Sequence, residues 1–284
     1  MEMFIVAALA GVLVGVLSGL LGIGGGVVMV PLFRLVFGLD PIAATATSLF
    51  TIIPTSLSGM TKHARNKTCV IRVGVICGLA GAVLSPIGVL AAAASPAWMV
   101  MGAAALVIAY SAYTMFKKAL AAPKAKAEGD AGASASSKPV SSAGSKAPDV
   151  DASDVRFALK PAFVAKVAAI GIVAGFLSGY VGVGGGFIMV PLFMALLGVP
   201  MRLASGTSLL AVCILAIPGA VEQGILGNID YLVGIATAAG SIPGAILGAG
   251  LVKRVPERAL RFAFAAFLLV VAVVLTVNEL GIIG

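Results

Sequence analysis

The chain has 284 residues, of which 60% are hydrophobic and 11% charged, with a mean hydropathy of +1.14 and a formal net charge of +8. An ordinary soluble domain carries about a quarter charged residues, so composition excludes that class and defines an integral membrane protein. The positive charge does not signal nucleic acid, because Lys and Arg sit between apolar stretches, where cytoplasmic loops collect them.

Apolar stretches long enough to cross roughly 30 Å of hydrocarbon as helices fall near 4–21, 43–60, 73–93, 98–116, 166–183, 203–221, 232–250 and 262–280. They are continuous rather than alternating, which selects an all-α bundle over a barrel. The first, within MEMFIVAALAGVLVGVLSG, lacks a basic leader and a clear small-residue cleavage site and is expected to stay as a helix. GLLGIGGGVVMVPLF follows at 19–33. The apolar run from 4 to 37 is too long for one span and short for two. A broken or re-entrant helix turning at Gly24, Gly25 and Gly26 resolves this and brings the expected total to eight to ten membrane segments.

TATSLF at 45–50 brings Thr47 and Ser48 into the next span, whose end carries Lys62 and His63, the single histidine, beside a loop with Arg65, Lys67 and Arg72. His63 is expected to be solvated at the interface, with proton coupling as its alternative role. Residues 117–165, rich in Ala, Ser, Lys, Pro and Asp, hold too little apolar surface to fold and are expected to form a flexible tether. The chain thus divides into a membrane unit at 1–116, the tether, and a second membrane unit at 166–284.

The second unit repeats the first. Sliding 11–49 onto 171–209 leaves about half the positions identical, among them Gly15/Gly175, Ser18/Ser178, Gly22/Gly182, Pro31/Pro191 and Thr47/Thr207, so the halves read as an internal duplication. The same offset continues more weakly to Gly88/Gly248 and Pro96/Pro256. Equivalent loops carry opposite charge. The loop near 61–72 is basic where the one at 222–231 has Glu222 and Asp230, and the neutral loop at 94–97 matches a later one with Lys253, Arg254, Arg258 and Arg261. Two copies of opposite orientation give that bias, as in inverted-repeat transporters; a parallel repeat of four spans per half is the alternative.

A helix that breaks in hydrocarbon needs protein, water or a ligand to satisfy its freed backbone. Restarting after Gly24–Gly26 and after Gly184–Gly186, it offers bare N–H groups and a partial positive charge, which favour an anion. Thr47, Ser48, Thr207 and Ser208 add hydroxyl donors without permanent charge, though such hydroxyls also bond their own helix. Gly11, Gly15, Gly19 and Gly22 fit close helix packing better. Arg34 and Arg202 lie near segment ends and are expected to snorkel to the interface. Cys69, Cys77 and Cys213 show no CxxC spacing, so free thiols without a disulfide or metal site are expected.

The duplicated GxGGGxxxVPLF phrase, followed each time by a TS-containing helix, resembles the sulfite exporter TauE/SafE family, also grouped with toluenesulfonate uptake permeases. Residues 22–33, 47–48, 182–193 and 207–208 carry the most specific part, and the long tether departs from the short connection expected there. The resemblance implies a multi-pass protein of the bacterial inner membrane that moves small sulfur-containing anions, such as sulfite, sulfoacetate or other sulfonates. Alternating access around a site lined by the ten glycine and hydroxyl residues named above is the expected mechanism, with no cofactor and protons as a coupling ion through His63. A passive anion channel would need the same lining. A membrane enzyme would need a polar catalytic cluster, which the sequence does not supply.

Overall fold

The computed structural model describes residues 2–121 and 161–279, which form α1 (Glu2–Leu21), α2 (Gly26–Leu35), α3 (Pro41–Arg65), α4 (Ile71–Ala93), α5 (Ala97–Ala121), α6 (Pro161–Val181), α7 (Gly186–Leu196), α8 (Met201–Ile225), α9 (Tyr231–Leu251) and α10 (Glu257–Glu279). The fold is all-α among the described residues. Seven of these helices are long and apolar enough to cross a membrane, and α2 and α7 are shorter apolar helices. Most of the segment expected to be a tether lies outside the described residues, although α5 continues to Ala121 and α6 opens at Pro161.

Each helix start in the second half falls within a residue or so of the first half's start plus 160. Equivalent helices run antiparallel. The end of α3 lies beside the start of α8, since the Val70 N–H donates to Thr207 Oγ1 (2.9 Å), and the end of α8 lies beside the start of α3, since the Asp230 N–H donates to Thr47 Oγ1 (2.9 Å). Rings of Phe116, late in α5, and Phe262, early in α10, meet edge to face at 6.0 Å, so this pair is antiparallel too. One end of the bundle therefore gathers Lys62, Arg65, Arg72, Arg202, Lys253 and Arg254, and the other Asp40, Glu222 and Asp230.

The two halves interlock. Lipid offers no hydrophobic drive for one apolar helix to join another, so close backbone approach through small residues supplies the attraction. Cβ atoms placed on Gly11, Gly15 and Gly19 of α1 would strike Thr237 O, Ser241 O and Ala245 O of α9, and the reciprocal Gly240, Gly244 and Gly248 press on Ala8 O, Val12 O and Val16 O. The equivalent seam joins Gly171, Gly175 and Gly179 of α6 to Cys77 O, Gly81 O and Ser85 O of α4. Each half thus buries its first helix against the other half.

Those contacts also fix the path of the chain. α1 runs alongside α9 toward the basic end, the chain reverses after Leu21, and α2 returns to Asp40 at the acidic end, where α3 begins. The α1–α2 pair is a hairpin that comes back to the side it left. α3, α4 and α5 then each run end to end, so α1 starts at the acidic end of the bundle and α5 finishes at the basic one.

Candidate functional site: two glycine turns in contact

The reversal after α1 rests on backbone that other residues adopt only with strain. Gly22, Gly24 and Gly25 have φ of +76°, +80° and +88°, and their equivalents Gly182, Gly184 and Gly185 have +72°, +82° and +64°, a region open to glycine without a Cβ penalty. α2 then starts at Gly26 and α7 at Gly186 with no side-chain cap on either. Val28 and Met29 N–H groups reach back to Gly25 O, while Gly26 and Val27 N–H groups have no backbone acceptor among the described residues. The second start differs in one bond, since the Gly186 N–H donates to Gly184 O at 2.7 Å, so the first start keeps more of its donors unspent inside the bundle.

These starts touch. A Cβ on Gly26 would collide with Val183 O, and one on Gly186 would come within 2.6 Å of Ile23 O. Every residue from Leu21 to Val27 and from Val181 to Val190 is buried. Ile52 of α3 and Val212 of α8, themselves 160 residues apart, close the space beside the turns. A Cβ on Gly24 would lie 2.7 Å from Val212 Cγ1 and 3.5 Å from Ile52 Cγ2, and one on Gly184 2.8 Å from Ile52 Cδ1 and 3.4 Å from Val212 Cγ1. The arrangement is an occluded pair of turns under an apolar plug.

The hydroxyls expected at the site divide. Thr47 and Thr207 accept the Asp230 and Val70 amides described above, and Thr207 also donates to Leu203 O (2.6 Å). Ser208 donates to Gly22 O (2.7 Å) and Ser205 O (2.8 Å), tying α8 to the first turn. Ser48 Oγ is buried without a partner among the described residues, as are Ser18, Ser56 and Ser178. Ser56 Oγ lies 3.3 Å, and Ser18 Cβ 3.6 Å, from Cβ positions on Gly24 and Gly25. Ser18 and Ser178 were visible as a conserved pair across the repeat; Ser56, opposite Ala216 in the other half, gave no such signal.

His63 departs from the expectation of a solvated ring. α3 runs past residue 60 to Arg65, so the imidazole turns inward and is fully buried. Nε2 donates to Gly19 O at 2.8 Å and Nδ1 sits 2.8 Å from Thr68 Oγ1, which also reaches His63 O at 3.2 Å. A carbonyl can only accept, so Nε2 carries a proton. The residue in the matching position, Gln223, pairs its Oε1 with Asn228 Nδ2 at 2.7 Å. Arg202 does not simply snorkel: its Nη2 donates to Val255 O at 2.8 Å. Cys69, Cys77 and Cys213 are free.

Apolar helices of membrane-crossing length packed around two broken-helix turns define a multi-pass membrane protein. The family described as Sulfite exporter TauE/SafE matches residues 7–275, and the chain belongs to it. It is 26% identical over 263 residues to the Probable membrane transporter protein YunE of Bacillus subtilis (strain 168), covering 90% of each chain. Similarity to the Probable membrane transporter protein YdhB of the same organism is 28% over 252 residues, 88% of this chain and 91% of that one. A stretch of 119 residues is 35% identical to Sulfite exporter TauE/SafE family protein 3 of Arabidopsis thaliana, 40% of this chain and 24% of that protein. No solved structure matches the chain significantly.

Proposed function

We propose that this transporter moves small sulfur-containing anions, sulfite or organosulfonates, across a bacterial inner membrane by alternating access. The observation that carries the reading is the meeting of two uncapped helix starts, at Gly26 and Gly186, beneath Ile52 and Val212. Amides at a helix start attract negative charge, and the buried hydroxyls of Ser18, Ser48, Ser56 and Ser178 lie within the same bundle with hydrogens to donate. Neutral donors hold an oxyanion weakly enough to release it. The substrate site in this reading is Gly24–Gly26, Gly184–Gly186 and the hydroxyl pairs Thr47, Ser48, Thr207 and Ser208, with Thr47 and Thr207 fixing the helices that bear the serines.

The two halves are inverted copies of one unit in this account, and the basic end faces the cytoplasm. Rocking one half against the other would part the turns from one side at a time. His63 is the proton-coupling group: a second proton on Nδ1 finds Thr68 Oγ1, whose own hydrogen then swings to His63 O. The name of the Arabidopsis relative, a sulfite exporter family protein, supports the class of cargo.

Counterflow in proteoliposomes tests the reading. Preloaded unlabelled sulfite should drive transient uphill accumulation of labelled sulfite; a passive channel would give equilibration alone. Gly25→Val and Gly185→Val should abolish flux while membrane insertion persists, and normal flux in both would remove the turns from the mechanism.

A further inference from the structure

A pocket of about 70 Å³ opens at the acidic end, between the start of α3, the end of α4 and the α8–α9 connection, with room for several waters or one small solute. Ile42, Ala92 and Val100 make its walls largely apolar. Its donors are neutral. Gln223 is 4% exposed and spends Oε1 on Asn228, leaving the Nε2 hydrogens without a partner among the described residues. α3 starts beside the pocket with Asp40 at its N-cap, making no side-chain cap bond, and with Pro41 next, which has no N–H, so the helix start adds at most the Ile42 and Ala43 amides. Thr45, whose hydroxyl donates to Ile42 O at 2.8 Å, forms the floor. Behind that floor lies the second glycine turn, since a Cβ on Gly182 would strike Thr45 Cβ.

Shifting each residue by 160 leads to the opposite end of the bundle, where the same space is filled. Arg202 stands for Ile42, Met201 for Pro41, Ser205 for Thr45, Val255 for Ser95 and His63 for Gln223. Arg202 Nη2 reaches across to Val255 O at 2.8 Å, and Glu257 Oε1 accepts both the Met201 N–H (2.9 Å) and Arg261 Nη2 (2.7 Å). Pro41 and Ala92 are half-buried where their counterparts Met201 and Val252 are 0% exposed, and Ile42 is exposed where Arg202 is half-buried, while Gln223 and His63 are both buried. One vestibule is open and its counterpart is latched shut.

We propose that the pocket at Thr45 and Gln223 is a binding vestibule for a small anion bearing a short apolar group, one step outside the Gly182–Gly186 turn, and that the Arg202–Val255 and Glu257–Met201 contacts seal the equivalent vestibule at the basic end. The proposal rests on the transport reading above. Neutral N–H donors return only part of the hydration an oxyanion loses, so a singly charged head with an apolar tail suits these walls better than a compact dianion. Entry through this pocket requires Thr45 to move, and the matching move at Ser205 requires the latch to open.

Thiol access tests it. In a background with Cys69, Cys77 and Cys213 replaced by serine, Ala92→Cys and Val252→Cys place equivalent thiols in the open and closed vestibules. The reagent is 2-sulfonatoethyl methanethiosulfonate, itself a small sulfonate. Ala92→Cys should label at least about tenfold faster than Val252→Cys, because packing blocks a buried thiol, and both should label after denaturation. Ethanesulfonate should slow labelling of Ala92→Cys, and Gln223→Leu should remove that protection. Equal rates at the two thiols, or no labelling at position 92 in folded protein, overturn the asymmetry; labelling that ethanesulfonate leaves unchanged overturns the binding site. Counterflow on the same proteoliposomes separates this idea from the transport reading. Protected, asymmetric labelling without flux overturns transport and leaves the vestibule, while flux with symmetric labelling does the reverse.

Discussion

Thr207 Oγ1 accepts the amide proton of Val70 at 2.9 Å, and so stitches the eighth helix to the start of the fourth. Thr47 and Asp230 repeat the contact at the opposite end of the bundle. Both hydroxyls are buried, and an amide stripped of its acceptor in such a place costs about 1–3 kcal/mol. Thr47→Val and Thr207→Val should therefore each lower the detergent-solubilised protein's stability by that amount, by similar margins. A thermal or denaturant melt in which one variant is silent would break the equivalence of the two ends.

Gly26→Ala and Gly186→Ala push the glycine turns apart, because the added methyl meets Val183 O in one case and Ile23 O in the other. Both should lose stability and flux together. Gly102, which has open space where its Cβ would be, is the control: Gly102→Ala should be neutral or up to about 1 kcal/mol stabilising, as a helical glycine replaced by alanine. Melting curves and counterflow on the three variants decide it.

Ile52→Ala removes half of the plug beside the turns. The cavity and lost contact area predict a destabilisation of about 2–5 kcal/mol. Under the proposed mechanism the variant should also leak anions down a gradient, seen as faster collapse of a sulfite gradient in liposomes than with the parent protein. Val212→Ala should leak in the same direction, since both side chains press on Gly24 and Gly184.

Cys69 lies in the loop between the third and fourth helices, half-buried. Burial pushes its thiol up to about 11 from an ordinary value of 9.0, with the Thr207 hydroxyl pulling the other way. The thiolate is the reactive form, so at pH 8 alkylation should run about a hundredfold slower than at an unperturbed cysteine. Rates of iodoacetamide modification against pH, in protein with Cys77 and Cys213 replaced, should keep climbing through pH 10. Thr207→Val should slow the reaction further at any given pH.

Much of this fold was legible in the sequence because hydrocarbon allows so few solutions. Eight apolar runs became eight long helices, and the triple glycines became turns, since a segment from 4 to 37 that is wrong for one span or two must double back. Opposed charges in matching loops pointed to the antiparallel run of α3 and α8. Less of the site could be read. Nothing in the pattern distinguished Thr47, which caps a neighbouring helix, from Ser48, which bonds to nothing described. His63 reads as interfacial because a basic loop follows it; only the longer helix and the carbonyl of Gly19 explain its burial. Ile52 and Val212 carry no chemical signature, and the vestibule depends on which of two matching sets of side chains fills its space.

The seam between α1 and α9 has a consequence for synthesis. α1 is made before α9 and keeps its glycine face for a partner whose codons come more than two hundred residues later. At roughly 5–20 residues per second the wait is on the order of ten to fifty seconds. During that interval the glycine face of α1 stays unmated in the bilayer, and the seam closes only once residues 231–251 are in place.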